Sequence, residues 1–231
     1  AITAGARYQV EDRVVDRSSS GLRNTDGSTT VIPGQNYSGN SDPSLRDRTK
    51  SFDPKVSLNF RPESGWLGQA PLLYVNYQTA TTSSTFNAIN IYDAPERVDG
   101  SEITAFEAGF KTRLLDGLID LNLAAFHYDI ETPQVQIVSL LAGGAVRFEN
   151  AGGQRIRGID FDALIQVLPQ LTDGSLILTM GGAYLDSEYT SYKNGSGFDS
   201  TTGLFNNGND FTGNRVVRTP KYSGTIPAHR W

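Results

Sequence analysis

The 231-residue chain has no cysteine, which excludes disulfides, thiolate metal sites and cysteine nucleophiles together. It has only two histidines, His127 and His229, too few for a histidine-based metal cluster. No apolar run reaches the roughly 18 residues of a helical membrane span. That absence says nothing of a β-barrel, whose strands carry a weaker signal. The chain also lacks a basic stripe. Its 20 Lys and Arg are interspersed with 25 Asp and Glu, for a net charge of −5, so it has no electrostatic footprint for nucleic acid.

What is present is alternation. In residues 157–167, Ile159, Phe161, Ala163, Ile165 and Val167 take one parity, and Gly158, Asp160, Asp162 and Gln166 the other. A period of two puts each set on one face of a strand. The pattern recurs at about 2–10, 54–61, 73–77, 106–114, 118–130 and 176–184, and an eighth strand opens near Pro220. The fifth segment is less regular. Leu121, Leu123 and Ala125 share a face, while Phe126 and Tyr128 fall on the other, from either an aromatic girdle or a bulge.

The connections alternate in length. Polar stretches at about 13–51, 80–101, 131–153 and 187–218 are long, and those at 62–71 (with Trp66), 115–118 and 169–174 are short. Asp116-Gly117 supplies the positive φ angles of a tight hairpin, and the third short turn also ends in Asp-Gly. The β-prone pieces 135–138 and 146–148 predict a raised hairpin within the third long connection. In an antiparallel barrel this order places every short turn on one rim and every long loop on the other. With a polar face opposite each apolar one, it predicts an all-β, antiparallel transmembrane β-barrel. Two other readings remain: a small complete passive outer-membrane barrel or porin, which would pair residues 2–10 with 219–226, and a soluble surface β-sandwich binding module, whose apolar faces would pack together.

No catalytic constellation stands out. Gly109-Phe110-Lys111-Thr112 ends like a phosphate loop but lacks the upstream glycine and the strand-to-helix context. Asn206-Asn207-Gly208-Asn209-Asp210 offers oxygen ligands without calcium-loop spacing and reads as a solvated turn. His127 reads as a strand residue. We expect no enzyme, no cofactor and no metal site.

Several segments resemble one family in order and spacing over most of residues 50–225. They include Phe52-Asp53-Pro54-Lys55-Val56-Ser57-Leu58-Asn59-Phe60-Arg61-Pro62 and Phe106-Glu107-Ala108-Gly109-Phe110-Lys111-Thr112-Arg113-Leu114-Leu115-Asp116-Gly117. Leu121-Asn122-Leu123-Ala124-Ala125-Phe126-His127-Tyr128-Asp129, Asn150-Ala151-Gly152 and Arg157-Gly158-Ile159-Asp160 follow. Gly182-Ala183-Tyr184-Leu185-Asp186-Ser187-Glu188-Tyr189 and Thr219-Pro220-Lys221-Tyr222-Ser223 complete the set. The chain resembles the TonB-dependent outer-membrane receptors of Gram-negative bacteria, with residues 1–49 similar in style only.

The resemblance implies about eight strands of a larger, 22-stranded barrel, lying in the outer membrane. It implies uptake of a scarce nutrient, most often a ferric siderophore, driven by the TonB complex in the full-length protein. Residues 1–231 would then be a partial barrel domain without its plug, cut at both ends. Outer-membrane lipid, the TonB complex and an iron–siderophore or similar solute are the expected partners. Glu107, Lys111, Arg113, Asp160 and Asp162 are expected to face the lumen. Tyr189, Tyr192, Phe198, Phe205 and Phe211 punctuate the last long loop among Gly and Asn, and are the candidates for ligand binding, because aromatic side chains give large contact area at small entropic cost.

Overall fold

The computed structural model describes residues 1–17, 21–23, 25–26, 28–31, 37–38, 43–63, 65, 67–87, 95–139, 145–171, 174–199 and 201–230. Trp66, Asp173 and Trp231 lie outside them. Alternating sequence becomes strand throughout. The strands are β1 (Ile2–Val14), β2 (Arg46–Phe60), β3 (Gln69–Thr82), β4 (Ser101–Leu114), β5 (Ile119–Glu131), β6 (Gly153–Leu171), β7 (Gly174–Ser191), β8 (Tyr222–Thr225) and β9 (Ala228–Arg230).

Each strand from β1 to β8 pairs antiparallel with its sequence neighbours in one meandering sheet, and β9 continues along the same edge of β7 beyond β8. The sheet therefore has eight positions, as the sequence predicts. It does not close: among the described residues β1 pairs only with β2, and β8 and β9 only with β7. Among the described residues the pairing of 2–10 with 219–226 that a small complete barrel needs is absent, and no second sheet packs on the apolar face as a sandwich needs.

Most strands outrun their alternating segments. β1 and β2 together take residues 13–14 and 46–51 from the first long loop, and β7 reaches Ser191. Above the alternating zone both faces are polar, so the sequence signal fades while the backbone ladder continues. Residues Gln134–Ser139 and Ala145–Asn150 form the raised hairpin. In the second short turn, Leu115, Asp116 and Gly117 take φ of 50°, 54° and 93°.

Burial is inverted relative to a water-soluble sheet. Ser51, Asp53, Ser57 and Ser101 are buried, while Ile2 is 77% exposed, Phe52 65%, Phe60 63% and Ile159 50%. Buried apolar side chains outside the strands sit largely in the loops, as Leu45, Val98, Ala151, Tyr192 and Val216 do. A sheet with an open apolar face opposite a polar one suits an apolar solvent outside and water inside.

The register turns that face into a belt. Ile2, Leu58, Val75, Ala108, Ala125, Ile159 and Tyr184 form one continuous row across β1–β7. On β2 the outward apolar residues are Phe52, Pro54, Val56, Leu58 and Phe60; on β6 they are Ile159, Phe161, Ala163, Ile165 and Val167. The upper limit falls from Val10 on β1 to Ile159 on β6, four steps of two residues, and the lower limit falls three steps from Phe60 on β2 to Val167. At about 6.6 Å per step and about 4.8 Å between strands, the belt is inclined to the rows by about 45°. Strands tilted by that amount in a barrel wall make the belt horizontal.

β5 pairs with both neighbours without a register shift, so there is no bulge. Phe126 and Tyr128 point inward with Glu107 and Gly158, their rings 5.0 Å apart and stacked. Neither a bulge nor a girdle explains their parity; they line the inner face.

Candidate functional site: inner wall and long-loop rim

The inner face carries the polar parity of every strand. Lys111, Asn122, Asp162 and Gly181 make one inward row, and Glu107, Phe126, Gly158 and Leu185 another. Arg113 opposes Asp120 and donates to it from Nε at 2.8 Å. Asn122 Nδ2 donates to Asp162 Oδ1 at 2.8 Å. The Lys111 ammonium lies 5.8 Å from the centre of the Tyr74 ring. All five charged residues singled out in the sequence thus share one face, with Asp160 one step from Asp162, and they are spread along it rather than gathered into one cluster.

Glycine makes room for the inward aromatics. A Cβ on Gly109 would stand 2.2 Å from Tyr74 Cζ, and one on Gly158 would stand 2.8 Å from Phe126 Cζ. Aromatic rings therefore lie flat over the inner wall instead of projecting from it.

Sequence reasoning missed Asp53. It is 7% exposed, accepts from Arg7 Nη2 at 3.0 Å and from Thr81 Oγ1 at 2.7 Å, and lies 3.3 Å from Ser51 Oγ. Both Arg7 and Asp53 sit at polar parity, but only the β1–β2 register makes them opposite.

The long-loop rim is knitted by amides. Asn87 Nδ2 donates to the Phe148 carbonyl at 2.7 Å, and Phe148 N donates back to Asn87 Oδ1 at 2.9 Å. Asn150 links Asp99 and Thr132, and Gln134 links Ser83 and Asp99. Glu149 accepts from the Tyr192 hydroxyl and from Ser196 N, joining the third and fourth connections. These clasps were invisible in the sequence, because an asparagine or glutamine in a polar loop carries no periodicity.

The five loop aromatics divide in two. Tyr189 (3% exposed) and Tyr192 (4%) pack with Ala151 and Val216 in a small core, with Phe211 against it. Burial, and the Glu149 carboxylate beside it, push the Tyr192 phenol above its ordinary range, so it remains a donor. Phe198 and Phe205 instead pair edge-on, centroids 5.6 Å apart, in the hairpin Gly195–Phe198/Phe205–Asn209, and Phe198 is 60% exposed. The polar run beside them is occupied with turn geometry: Asn206 Oδ1 accepts from Gly208 N, and Asn209 Nδ2 donates to the Gly197 carbonyl. Among the described residues no three His, Asp or Glu side chains converge as a metal site. His127 is on the outer face, Nε2 2.9 Å from Asp129 Oδ2.

Comparison with known proteins points in one direction. The family model described as "TonB dependent receptor-like, beta-barrel" matches residues 1–231. The metal-pseudopaline receptor CntO of Pseudomonas aeruginosa is 29% identical over 133 residues, which is 58% of this chain and 15% of that protein. Among solved structures, the siderophore receptor PiuA of Acinetobacter baumannii superposes with a TM-score of 0.59 at 18% identity, over 98% of this chain and 28% of its own. The copper transporter OprC gives a TM-score of 0.55 at 12% identity, over 82% and 27%. At those identities the likeness is one of fold. The chain spans about a seventh of the length of the curated relatives it matches.

Proposed function

Since the chain belongs to the TonB-dependent receptor β-barrel family of the outer membrane, we propose that it forms wall and rim of a receptor that imports a scarce metal chelate. A ferric siderophore is the solute class we favour. The observation that carries this reading is the inverted sheet: an outward apolar belt, an inward polar wall, and every long loop on one rim. The similar proteins are a metal-pseudopaline receptor, a siderophore receptor and a copper transporter, which supports a metal-containing solute.

In this proposal the Phe198–Phe205 pair, with Phe198 exposed, touches the solute first. Tyr189, Tyr192 and Phe211 hold the hairpin that presents it. The solute then passes along the inner wall, where Glu107, Lys111, Arg113, Asp160 and Asp162 meet it or the plug of the complete receptor, and TonB supplies the energy.

The test is uptake by cells carrying the full-length receptor, with radiolabelled ferric catecholate, ferric hydroxamate, a nickel chelate and an oligopeptide as probes. Uptake of an iron chelate that is lost without TonB is the expected result. Uptake of the peptide alone, or of every probe without TonB, would overturn it. Phe198→Ala with Phe205→Ala should raise the half-saturating concentration while the maximal rate holds, because these residues act before translocation.

A further inference from the structure

Among the described residues of β1–β7, one junction of the wall loses its backbone ladder early. β2 and β3 pair from Phe60 with Leu73 up to Lys55 with Gln78, and there the ladder stops. Both strands go on. β2 continues to Arg46 in register with β1, and β3 continues to Thr82 in register with β4. The later junctions stay paired up to the rim, at Glu102 with Glu131, Glu131 with Gly153, and Gly153 with Ser191.

Pro54 supplies the reason. Asn59 exchanges backbone hydrogen bonds with Ala1 at the foot of β1, so odd residues of β2 face β1 and even ones face β3. Pro54 therefore faces β3 with no N–H to give, one residue past the last pair. Above it, side chains fasten the two strand pairs across the inner face. Thr81 Oγ1 donates to Asp53 Oδ1 at 2.7 Å, Ser83 Oγ to Glu11 Oε2 at 2.6 Å, and Ser84 Oγ to Asp47 Oδ2 at 2.5 Å. Side-chain rotation opens such bonds without moving a strand. The outer lip is apolar: Tyr8 and Phe52 stand opposite each other on β1 and β2, 66% and 65% exposed.

Height gives the seam its meaning. Pro54 and Phe52 end the belt on β2, so the seam starts in hydrocarbon and rises out of it. At membrane depth, backbone outside a ladder persists where protein or water satisfies it, not against lipid alone. The seam thus calls for lumen water or a polar guest behind its apolar lip. We propose that it is a lateral portal for an amphiphilic metal chelate, one with an acyl tail, entering the lumen from the outer leaflet. The tail lies along Tyr8 and Phe52, and the polar head passes Pro54 to the hydroxyls and carboxylates inside. A chelate without a tail does not gather in the leaflet and enters from the long-loop rim. This inference rests on the proposed import of a metal chelate and names a class of chelate for it.

The experiment uses the full-length receptor in cells, in a background free of other cysteines. Glu11→Cys and Ser83→Cys span the seam and are bridged by a short bis(methanethiosulfonate), which reductant removes. The probes are a radiolabelled ferric hydroxamate with a fatty-acyl tail and the same chelate without it. Bridging should abolish uptake of the acylated chelate and spare the other, and reductant should restore it, which excludes misfolding. Equal loss of both chelates, or loss of neither, would overturn the portal. Pro54→Val returns the missing donor, so residues 79–82 should gain protection from amide exchange and acylated uptake should slow. A longer ladder with uptake unchanged would count against the portal equally. A fatty-acyl diazirine in receptor-containing vesicles reads the seam without any metal cargo. It should label residues 79–84 before bridging and not after, and labels confined to the outward belt would overturn the proposal. Labelling at 79–84 with neither chelate imported would instead refute the cargo reading and leave the portal standing.

Discussion

At the scale of single residues, parity decides which solvent a side chain meets. Phe110 lies in the middle of the outward residues of β4, between Phe106 and Leu114, and Asp162 faces inward on β6. Phe110→Arg should therefore cost the complete barrel about 2–4 kcal/mol, since arginine near the bilayer midplane has no water to meet, while Asp162→Arg should cost far less. Urea titration of both variants in lipid vesicles checks this, and equal costs would mean the faces are reversed. Glycine matters at residue scale where a ring crosses it. Gly109→Val would drive a branched side chain into Tyr74, and overpacking of that kind costs about 1–3 kcal/mol. Tyr74→Ala in the same background should recover part of the loss in the same titration.

At the scale of elements, the loops are held by charge and amide pairing above the belt. Asp47 at the head of β2 accepts from Ser84 Oγ at 2.5 Å, from Thr49 Oγ1 at 2.9 Å and from Arg97 Nε at 3.0 Å. The Ser84 hydrogen bond leads in holding its carboxyl below the ordinary value, against an opposing contribution from burial. A depressed carboxyl stabilises the fold fully above its unfolded value near 4, and the contribution is lost as pH falls through the lower folded value. Amide exchange in residues 83–87 and 95–98 should therefore accelerate below about pH 4, and Asp47→Asn should remove that dependence. An unaltered pH profile in the variant would show that another group is responsible. The fourth loop depends on the buried Tyr192 instead. Tyr192→Ala empties its small core and leaves Glu149 short of a donor, so the Gly195–Asn209 region should become the first site of proteolytic cutting. Tyr192→Phe keeps the packing and should fall between the two.

At the scale of the whole molecule, the slanted belt and the open edges belong together. A belt that crosses the rows at about 45° is horizontal only if the strands are tilted, and tilted strands belong to a closed wall. Among the described residues β1 presents one unpaired edge and β8 with β9 the other. Expressed alone, residues 1–231 should self-associate through those edges and through the apolar face. Sedimentation in detergent checks this: a stable monomer with protected β1 amides would show that the edges are satisfied some other way.

The parts legible beforehand follow from local rules. The all-β class, the eight strand positions, the sorting of loops and the common face of Glu107, Lys111, Arg113, Asp160 and Asp162 all come from a period of two and from turn residues. Phe126 and Tyr128 are ambiguous in the sequence because an aromatic at inward parity looks like an error until Gly158 shows the space made for Phe126. The loop aromatics could be found but not sorted. Nothing local separates the buried Tyr192 from the exposed Phe198, since the difference lies in Ala151, Val216 and Glu149, brought in from distant connections.

The sequence by itself determined which side chains share a face, because pleating links parity to direction whatever the neighbours are. Only the tertiary structure decided the register, and with it everything that needs two strands: the Arg7–Asp53 pair, the slope of the belt, the clasps between loops and the seam between β2 and β3. A strand's own residues fix its two faces. Its height against the next strand is set by hydrogen bonds and side chains that the other strand supplies.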